Sequence, residues 1–367
     1  MPDHLIIGGG VIGMLTAREL RLAGADVTLL ERNTTGRESS WAGGGIISPL
    51  YPWRFPQPVT ELARWSQSNY PELIEELLAT TGINSEWSRS GLLIISPEEQ
   101  EEALRWGEES GSLIEVINSS QLHDCEPVLS EPPEGTLWMP EVAQVRNPRL
   151  VKALRQDLMQ LGVSILEQQK VEQINVIRGK VTGISTHSQT IQADSIIVCA
   201  GAWSGQLLAQ LPSPPAVEPV KGQMILFKGE PGMISRITLE QDRYIIPRID
   251  GRVLFGSTLE QKGFDKQTTQ EAREELLTIA RSRFPILGTR PVEHHWAGLR
   301  PGSPGGIPYI GPHPEVEGLF LNTGQYRNGV VLGPASARLA VDILLQRLPF
   351  CPIKPYALGA TRPEHSN

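Results

Sequence analysis

The stretch His4-Leu5-Ile6-Ile7-Gly8-Gly9-Gly10-Val11-Ile12-Gly13 decides the fold, and Glu31 completes it. His4 to Ile7 is a short apolar run, and Met14 to Ala23 carries helical spacing through Ala17 and Leu20. That pattern predicts a strand, a glycine turn and a helix. After Gly24, the run Asp26 to Leu30 ends at Glu31 and predicts a second strand parallel to the first. The result is a compact βαβ unit with the layout of a dinucleotide site. Gly8 allows the tight turn, Gly10 lets the backbone approach a pyrophosphate, and Gly13 lets helix and strand pack closely. Free N–H groups at the helix start suit an anion. Glu31 stands near the ~20-residue spacing of an acid that accepts hydrogen bonds from the adenosine ribose. An acid at that place argues against a 2′-phosphate.

Outward from that unit there is room for more. The 367 residues correspond to two or three domains at about 150 residues each, or to one with an elaborate insertion. With 40% hydrophobic and 20% charged residues and a mean hydropathy of -0.18, the composition is that of a globular chain, not a disordered or collagen-like one. A net charge of -8 points away from nucleic acid and from anionic membranes as partners. The 36 glycines and 30 prolines exceed the usual combined share of about 12%, so loops should carry much of the function. Cys125, Cys199 and Cys351 are an odd, widely spaced set without CxxC. They build neither a disulfide framework nor a zinc ribbon, and a reducing compartment fits them best. No apolar run reaches the ~18 residues of a membrane span, and the first residues lack the features of a signal peptide. A cytoplasmic location without stable membrane insertion is the expectation.

Residues 36 to 54 are rich in Gly, Ser and Pro with Trp41, Tyr51 and Trp53 embedded. They are too broken for regular structure and too aromatic for a solvated linker, so a packed loop is expected. Val59 to Thr80 predicts a helix with Gly82 as its stop. A strand is expected over Gly91 to Ser96, an acidic helix from Pro97, and an exposed Pro- and Glu-rich connection over Glu126 to Glu134. Pro148 opens another helix, and short strands alternate from Val163 to the run Ile196 to Cys199. Between 216 and 300 lie β-rich runs at Met224 to Phe227, Tyr244 to Ile249 and Val253 to Phe255, with a helix near Glu271 to Arg283. That predicts a second, α+β body. A strand at Leu319 to Asn322, a turn and a helix from about Gly329 to Arg347 close the chain, and no internal repeat occurs.

The βαβ unit alone does not separate NAD from FAD, which share an ADP half. The segment Thr323-Gly324-Gln325-Tyr326-Arg327-Asn328-Gly329-Val330-Val331-Leu332 decides for FAD. It sets a turn before a helix whose N–H groups and positive dipole end suit the pyrimidine edge of a flavin, where negative charge gathers on reduction.

Three further stretches join the glycine motif and Arg327-Asn328-Gly329: Ile197-Val198-Cys199-Ala200-Gly201-Ala202-Trp203, Tyr244-Ile245-Ile246-Pro247-Arg248 before Gly251, and Ala297-Gly298-Leu299-Arg300-Pro301-Gly302. Together, in order over nearly the whole chain, they resemble the D-amino-acid oxidase superfamily of flavoenzymes, and most its glycine oxidase branch. The resemblance implies an α/β fold. A Rossmann-like FAD-binding domain would be discontinuous over 1–85, 141–215 and 301–367, and an α+β substrate domain over 86–140 and 216–300 would hold a mostly antiparallel sheet. It implies FAD contacts from Gly8, Gly10, Val11, Ile12, Gly13, Glu31 and Arg32. Further FAD contacts are implied for Ser39, Ser40, Gly43, Gly44, Gly45 and Ile46, for Val171, Ala200, Gly201 and Trp203, and for Gly324, Tyr326, Arg327, Asn328, Gly329 and Val330. Arg300 should bind the substrate carboxylate as a fork with Tyr244 as second donor. Arg327 should close the site, and Asp242 and Leu259 should be pocket neighbours. A planar, permanently charged guanidinium matches a carboxylate. Related sarcosine oxidases attach FAD to a late cysteine, and Arg300 to Gly311 holds none, so noncovalent FAD is expected.

The activity implied is oxidation of glycine, sarcosine or a D-amino acid to its imine. Hydride would pass from Cα to flavin N5 without a side-chain acid or base, and oxygen would be reduced to hydrogen peroxide. The branch further implies a role in thiazole assembly for thiamine. Two other readings stand beside it. Ser40-Trp41-Ala42-Gly43 resembles D-amino-acid dehydrogenases, which pass electrons to a quinone or carrier, and a flavin-binding sensor or assembly partner without turnover would use the same glycines. A homo-oligomer is compatible with either. His294 and His295, as neighbours on a strand, face opposite ways and predict no shared metal. Cys199 reads as a buried thiol, and Glu75, Glu76 and the acids from Glu98 to Glu102 as solvated helix faces.

Overall fold

A computed structural model describes residues 2–95 and 98–363. The strands in chain order begin with β1 (His4–Ile7), β2 (Val27–Leu30), β3 (Leu92–Ile94), β4 (Glu115–Ile117), β5 (Thr136–Met139) and β6 (Ser164–Leu166). Next come β7 (Val171–Ile177), β8 (Lys180–Thr186), β9 (Thr190–Gln192), β10 (Ile196–Val198), β11 (Glu218–Phe227) and β12 (Ile237–Glu240). The last are β13 (Arg243–Pro247), β14 (Val253–Gly256), β15 (Val292–Gly302), β16 (Tyr309–Pro312) and β17 (Leu319–Thr323). The helices are α1 (Val11–Leu22), α2 (Ser39–Ala42), α3 (Gln57–Thr81), α4 (Gln100–Ser110), α5 (Ser119–Cys125), α6 (Asn147–Gln160), α7 (Ser204–Leu208), α8 (Gln270–Arg283) and α9 (Gly329–Leu344).

Three sheets organise them. The first has the order β16-β17-β10-β1-β2-β6 and is parallel except for β16 against β17. Its central strands are apolar on both faces, as a sheet covered on both sides requires. Helices α1, α3, α6 and α9 cover one side, with Met14, Leu20, Leu62, Leu154 and Leu339 fully buried among them. The other face packs against the small sheet β7-β8-β9 through Leu5, Ile7, Ile184 and Val198. Within the helical layer Arg18 of α1 is buried, and its Nε donates to Asp157 of α6 at 2.9 Å while Nη2 donates to Glu76 of α3 at 2.8 Å. Glu76 is therefore an ion-pair partner and not merely a solvated acid, and it orients the helix that begins at the glycine loop.

The second large sheet, β15-β11-β14-β13-β12-β3-β5-β4, is antiparallel except for β12 against β3. Register aligns Tyr244 with Gly256 and Gly256 with Met224, and Met224 with Trp296. This places Tyr244, Met224 and Trp296 in one row across four strands. Among the described residues no helix is long and apolar enough to cross a membrane.

Several elements differ from their expectation. α1 begins at Val11, so Gly13 lies inside its first turn and Gly10 is the N-cap. Residues 36–54 contain the short helix α2 and a 3-10 turn at Pro52–Arg54, yet the aromatic packing is there. Trp41 meets Trp296 edge-on at 5.6 Å, and Tyr51 is buried. The expected exposed connection fails at its first residue, because Glu126 is only 1% exposed and accepts from Ser235 N and Arg236 N, each at 2.8 Å. Two backbone donors compensate its burial. Glu99 is likewise engaged, accepting from the Trp53 indole and the Arg54 guanidinium. The expected strand and acidic helix over 91–102 correspond to β3 and α4, and Ser96 and Pro97 lie outside the described residues.

Candidate active site

Two joined spaces run from the glycine loop into the second sheet. The outer is walled by Gly8, Glu31, Arg32, Val171, Ala200 and Trp203, among others, and the inner by Tyr244, Arg300, Arg327 and Asn328 together with the 39–46 segment. Both spaces touch Gly10, Ser39, Ser40 and Gly201, so one extended ligand can occupy them end to end.

Glycine geometry builds the outer end. Gly8 has φ +114° and its missing Cβ would stand 2.3 Å from Cys199 O, while a Cβ on Gly13 would stand 1.9 Å from Gly8 O. Neither position admits a side chain. The first turn of α1 has no side-chain cap on Gly10, and Val11 N donates to Ser40 Oγ at 2.8 Å. Glu31 is buried, and its two carboxylate oxygens accept from Gly9 N at 2.8 Å and Asn33 N at 2.9 Å. Burial raises its pKa and these backbone donors pull it back. Each oxygen keeps a lone pair for a ribose hydroxyl. Arg32 lies over the Trp203 ring at 4.6 Å.

A glycine shelf, Gly43 to Gly45, continues inward. A Cβ on Gly44 would meet Ile246 Cδ1 at 2.6 Å, and one on Gly45 would meet Val145 O at 2.1 Å. The shelf is held by Arg248, whose Nη2 donates to Gly44 O at 2.7 Å and whose Nη1 donates to Gln144 Oε1 at 2.7 Å and Val145 O at 3.1 Å. Burial, then the neighbouring Arg146, lowers the Arg248 pKa to about 10, and it remains a cation at neutral pH. Asn147 adds a second tie by donating to Ser40 O at 3.0 Å.

The far wall is the start of α9. Asn328 is buried with no side-chain cap made at the helix start, and its Nδ2 has no hydrogen-bond partner. A buried unpaired donor beside an uncapped helix terminus calls for an acceptor, which the carbonyl edge of a flavin supplies. The residues present therefore fit FAD: a glycine cradle for the pyrophosphate, an acid for the ribose, a flat shelf, and donors at the pyrimidine end.

Opposite the shelf, Arg300 projects from β15. Its Nη2 donates to Ser257 Oγ at 2.6 Å, and Nη1 donates to Lys221 O at 3.2 Å and Thr258 O at 3.3 Å. No carboxylate pairs with it among the described residues. Burial lowers its pKa, the Tyr244 hydroxyl raises it, and Arg327 lowers it again. A guanidinium whose hydrogen bonds go to neutral oxygens keeps its charge available to an anion. Gly222 on the neighbouring β11 makes room for it, since a Cβ there would lie 2.2 Å from Arg300 Nη2. Tyr244 lies buried beside it with its hydroxyl 3.8 Å from Met224 Sδ.

Some expected site residues stand elsewhere. Gly13 packs behind the loop, and Gly324 is a turn residue with φ +84°. Asp242 is exposed in the β12–β13 turn, and Leu259 is 45% exposed; the structure brings neither to the cavity wall. Cys199 lines the cavity as a buried thiol pushed up to about 12 by burial, and His294 is exposed while His295 is half-buried. Sequence reasoning missed Gly222, Met224, Ser257 and Thr258. The signal for one of them was present, because a glycine inside a strand marks a close approach.

Comparison with known proteins agrees with this geometry. Residues 3–343 match the family model DAO, FAD dependent oxidoreductase. A glycine oxidase of Pseudomonas aeruginosa is 48% identical over 354 residues, covering 96% of this chain and 97% of that protein. The bifunctional protein ThiO/ThiG of Synechocystis is 35% identical over 94% of this chain and 52% of its own length. The crystal structure of glycine oxidase from Geobacillus kaustophilus superposes with a TM-score of 0.92 at 28% identity, covering 97% of this chain and 98% of that one. The chain belongs to the DAO family of FAD dependent oxidoreductases.

Proposed function

We propose that this chain is a glycine oxidase that binds FAD noncovalently and deaminates glycine, with sarcosine and small D-amino acids as further substrates. One observation carries the reading: Arg300 is a half-buried guanidinium on the cavity wall that donates to Ser257 Oγ, Lys221 O and Thr258 O, all neutral oxygens, and has no carboxylate partner among the described residues. A substrate carboxylate completes its coordination, and Tyr244 is placed to donate a second bond to it. The crowding of Tyr244, Met224 and Ile46 around that spot suits a substrate with little or no side chain. FAD, when bound, would supply the acceptor for the two electrons that leave the substrate Cα as a hydride, and oxygen would take them up as hydrogen peroxide. The chain's part is positioning: Arg300 and Tyr244 fix the carboxylate, the shelf fixes the ring plane, and the amine binds deprotonated. No acid or base is required of the walls. Arg327, without an ion-pair partner among the described residues, stands beside α9 as a second cation over the substrate.

The bulky 41–54 segment gives the dehydrogenase reading no support, since Trp41 packs on Trp296 and neither Trp41 nor Trp53 lines the inner space. Supply of the imine to thiazole assembly belongs to the same proposal, supported by the likeness to ThiO/ThiG; unaided growth of a deletion strain without thiamine would remove it.

Anaerobic mixing with glycine, sarcosine, D-alanine and D-proline tests the reading. Bleaching of the flavin absorbance by glycine, with rapid recovery and peroxide on admitting air, is expected. Bleaching that air barely reverses would replace the oxidase with a dehydrogenase, and no bleaching by any of the four would end the amine reading. Release of yellow colour into the supernatant on denaturation checks the noncovalent attachment.

A further inference from the structure

We propose that Lys221 is a positioning residue: it locks the segment 257–269 onto β11 as a strap, and the strap couples the aim of Arg300 to the retention of FAD. The inference rests on the flavoenzyme reading above and extends it to residues outside the cavity.

The strap begins where it holds Arg300, through Ser257 Oγ and Thr258 O. Two residues on, it is bridged to β11 by reciprocal backbone bonds, Lys221 N to Glu260 O and Glu260 N to Lys221 O, both 3.0 Å. The Lys221 side chain is 1% exposed, with Nζ 3.6 Å from Glu260 and 3.5 Å from Asp265. An ammonium is buried this fully only where charge compensates its lost hydration, so these two acids are tied to it. Lys221 also gives its own carbonyl to Arg300. One residue thus meets the carboxylate anchor with its backbone and the strap with its side chain.

Beyond the clamp, the strap reaches the other end of the cavity. Phe264 stacks on Trp203 with ring centroids 5.8 Å apart, and Lys266 Nζ pairs with Glu38 at 2.8 Å. Trp203 and Glu38 are walls of the outer space. A strap clamped at Lys221 therefore touches both ends, and ordering at one end is passed through it to the other. Carboxylate bound at Arg300 and FAD bound under Trp203 stabilise the same arrangement.

The test uses acetate, a carboxylate that cannot be oxidised at Cα as an amine. Its binding to the holoprotein is read from the flavin absorption spectrum, FAD affinity is read by titrating apoprotein, and FAD dissociation is followed with and without saturating acetate. None of these three readouts depends on turnover, so failure here is separable from failure of the glycine oxidase reading. Acetate should slow FAD release at least about threefold in the parent protein, and Lys221→Met should abolish that slowing while raising both dissociation constants about fivefold or more. Glu260→Gln keeps the hydrogen bonds, removes the charge and should move both constants the same way by about twofold to fourfold, which keeps the test alive if Lys221→Met does not fold. With glycine, KM should rise more than kcat falls. An acetate effect on FAD release that is absent in the parent, or that survives in both variants, overturns the proposal. So does a Lys221→Met protein whose acetate constant changes while its FAD constant stays within about twofold.

Discussion

The two ends of the cavity are built from different materials. At the outer end the shape is made by backbone: Gly8 and Gly13 close against each other and Cys199, and the Glu31 carboxylate is held by the backbone donors of Gly9 and Asn33. At the inner end the decisive element is one half-buried charge, Arg300, held by the Lys221 carbonyl of β11 and the Thr258 carbonyl of the segment after β14. Backbone shape tolerates no added atom, whereas a charge tolerates no lost one. The cofactor end should accordingly fail through steric additions and the substrate end through deletions.

Arg300→Ala is the sharpest attempt to break that contrast. Removing the proposed carboxylate anchor should cost about 2 to 5 kcal/mol in kcat/KM, roughly 30-fold to several thousand-fold. FAD affinity should stay within about threefold, because no wall of the outer space is touched. A few-fold loss in kcat/KM would show that Arg300 is not the carboxylate anchor. Gly13→Ala is the mirror experiment. Its Cβ would sit 1.9 Å from Gly8 O, so the loop must open, and FAD affinity should fall by about 3 kcal/mol, more than a hundredfold. In whatever fraction is reloaded with FAD, the strap contacts are intact and KM for glycine should be unchanged; a raised KM would mean that the distorted loop itself reaches the substrate end.

Arg248 sharpens the comparison, because it is a charge whose work is to hold backbone. Its loss in Arg248→Met leaves Gly44 O, Val145 O and Gln144 Oε1 without a donor, each at a cost of about 1 kcal/mol or more. We expect FAD affinity to fall about tenfold, with a lowered Tm and a smaller change in KM. Equal losses in KM and in FAD affinity would place Arg248 at the substrate instead.

The same contrast explains what could be read before any coordinates. The glycine loop, α1 and Glu31 lie within one continuous stretch, and their spacing is itself the physical requirement, so the βαβ unit was legible from residues alone. The inner end is not local. Tyr244, Gly222 and Arg300 come together only through the pairing of β13, β14, β11 and β15, and no spacing along the chain encodes that register. Resemblance to a family named Arg300 and Tyr244, but Arg248 was quoted there without its role, which depends on a carbonyl some two hundred residues away. Leu259 and Asp242 are expected from the resemblance as pocket neighbours of Tyr244. The turn that carries Asp242 faces solvent, and alternation along an extended segment sends Leu259 outward. Glu126 failed for the reverse reason: a Pro- and Glu-rich composition hides a single carboxylate buried on two backbone donors.

The smallest effect lies one layer behind the cofactor loop. Glu167 accepts from Thr35 N at 2.9 Å and is gripped by both Nε and Nη2 of Arg155, while the adjoining Gly36 N donates to Gly9 O at 2.8 Å. Arg155, through its hydrogen bonds, lowers the Glu167 pKa to about 2 from an ordinary 4.5. A carboxyl depressed in the folded state contributes its stability above the unfolded value and loses it as pH falls through the folded one. The contribution is therefore complete above about pH 4.5 and fades toward pH 2. Partial exposure of the pair limits it to about 1 kcal/mol or less. Glu167→Gln should lower the urea midpoint slightly at pH 7, and the gap from the parent should narrow steadily below pH 4.5. FAD affinity should move by no more than about twofold, since the loop keeps its glycine geometry and loses only a buttress. A gap that held constant from pH 7 to pH 3 would show that Glu167 acts through shape and not through charge. The backbone character of the outer end would then extend one shell further than the hydrogen bonds indicate.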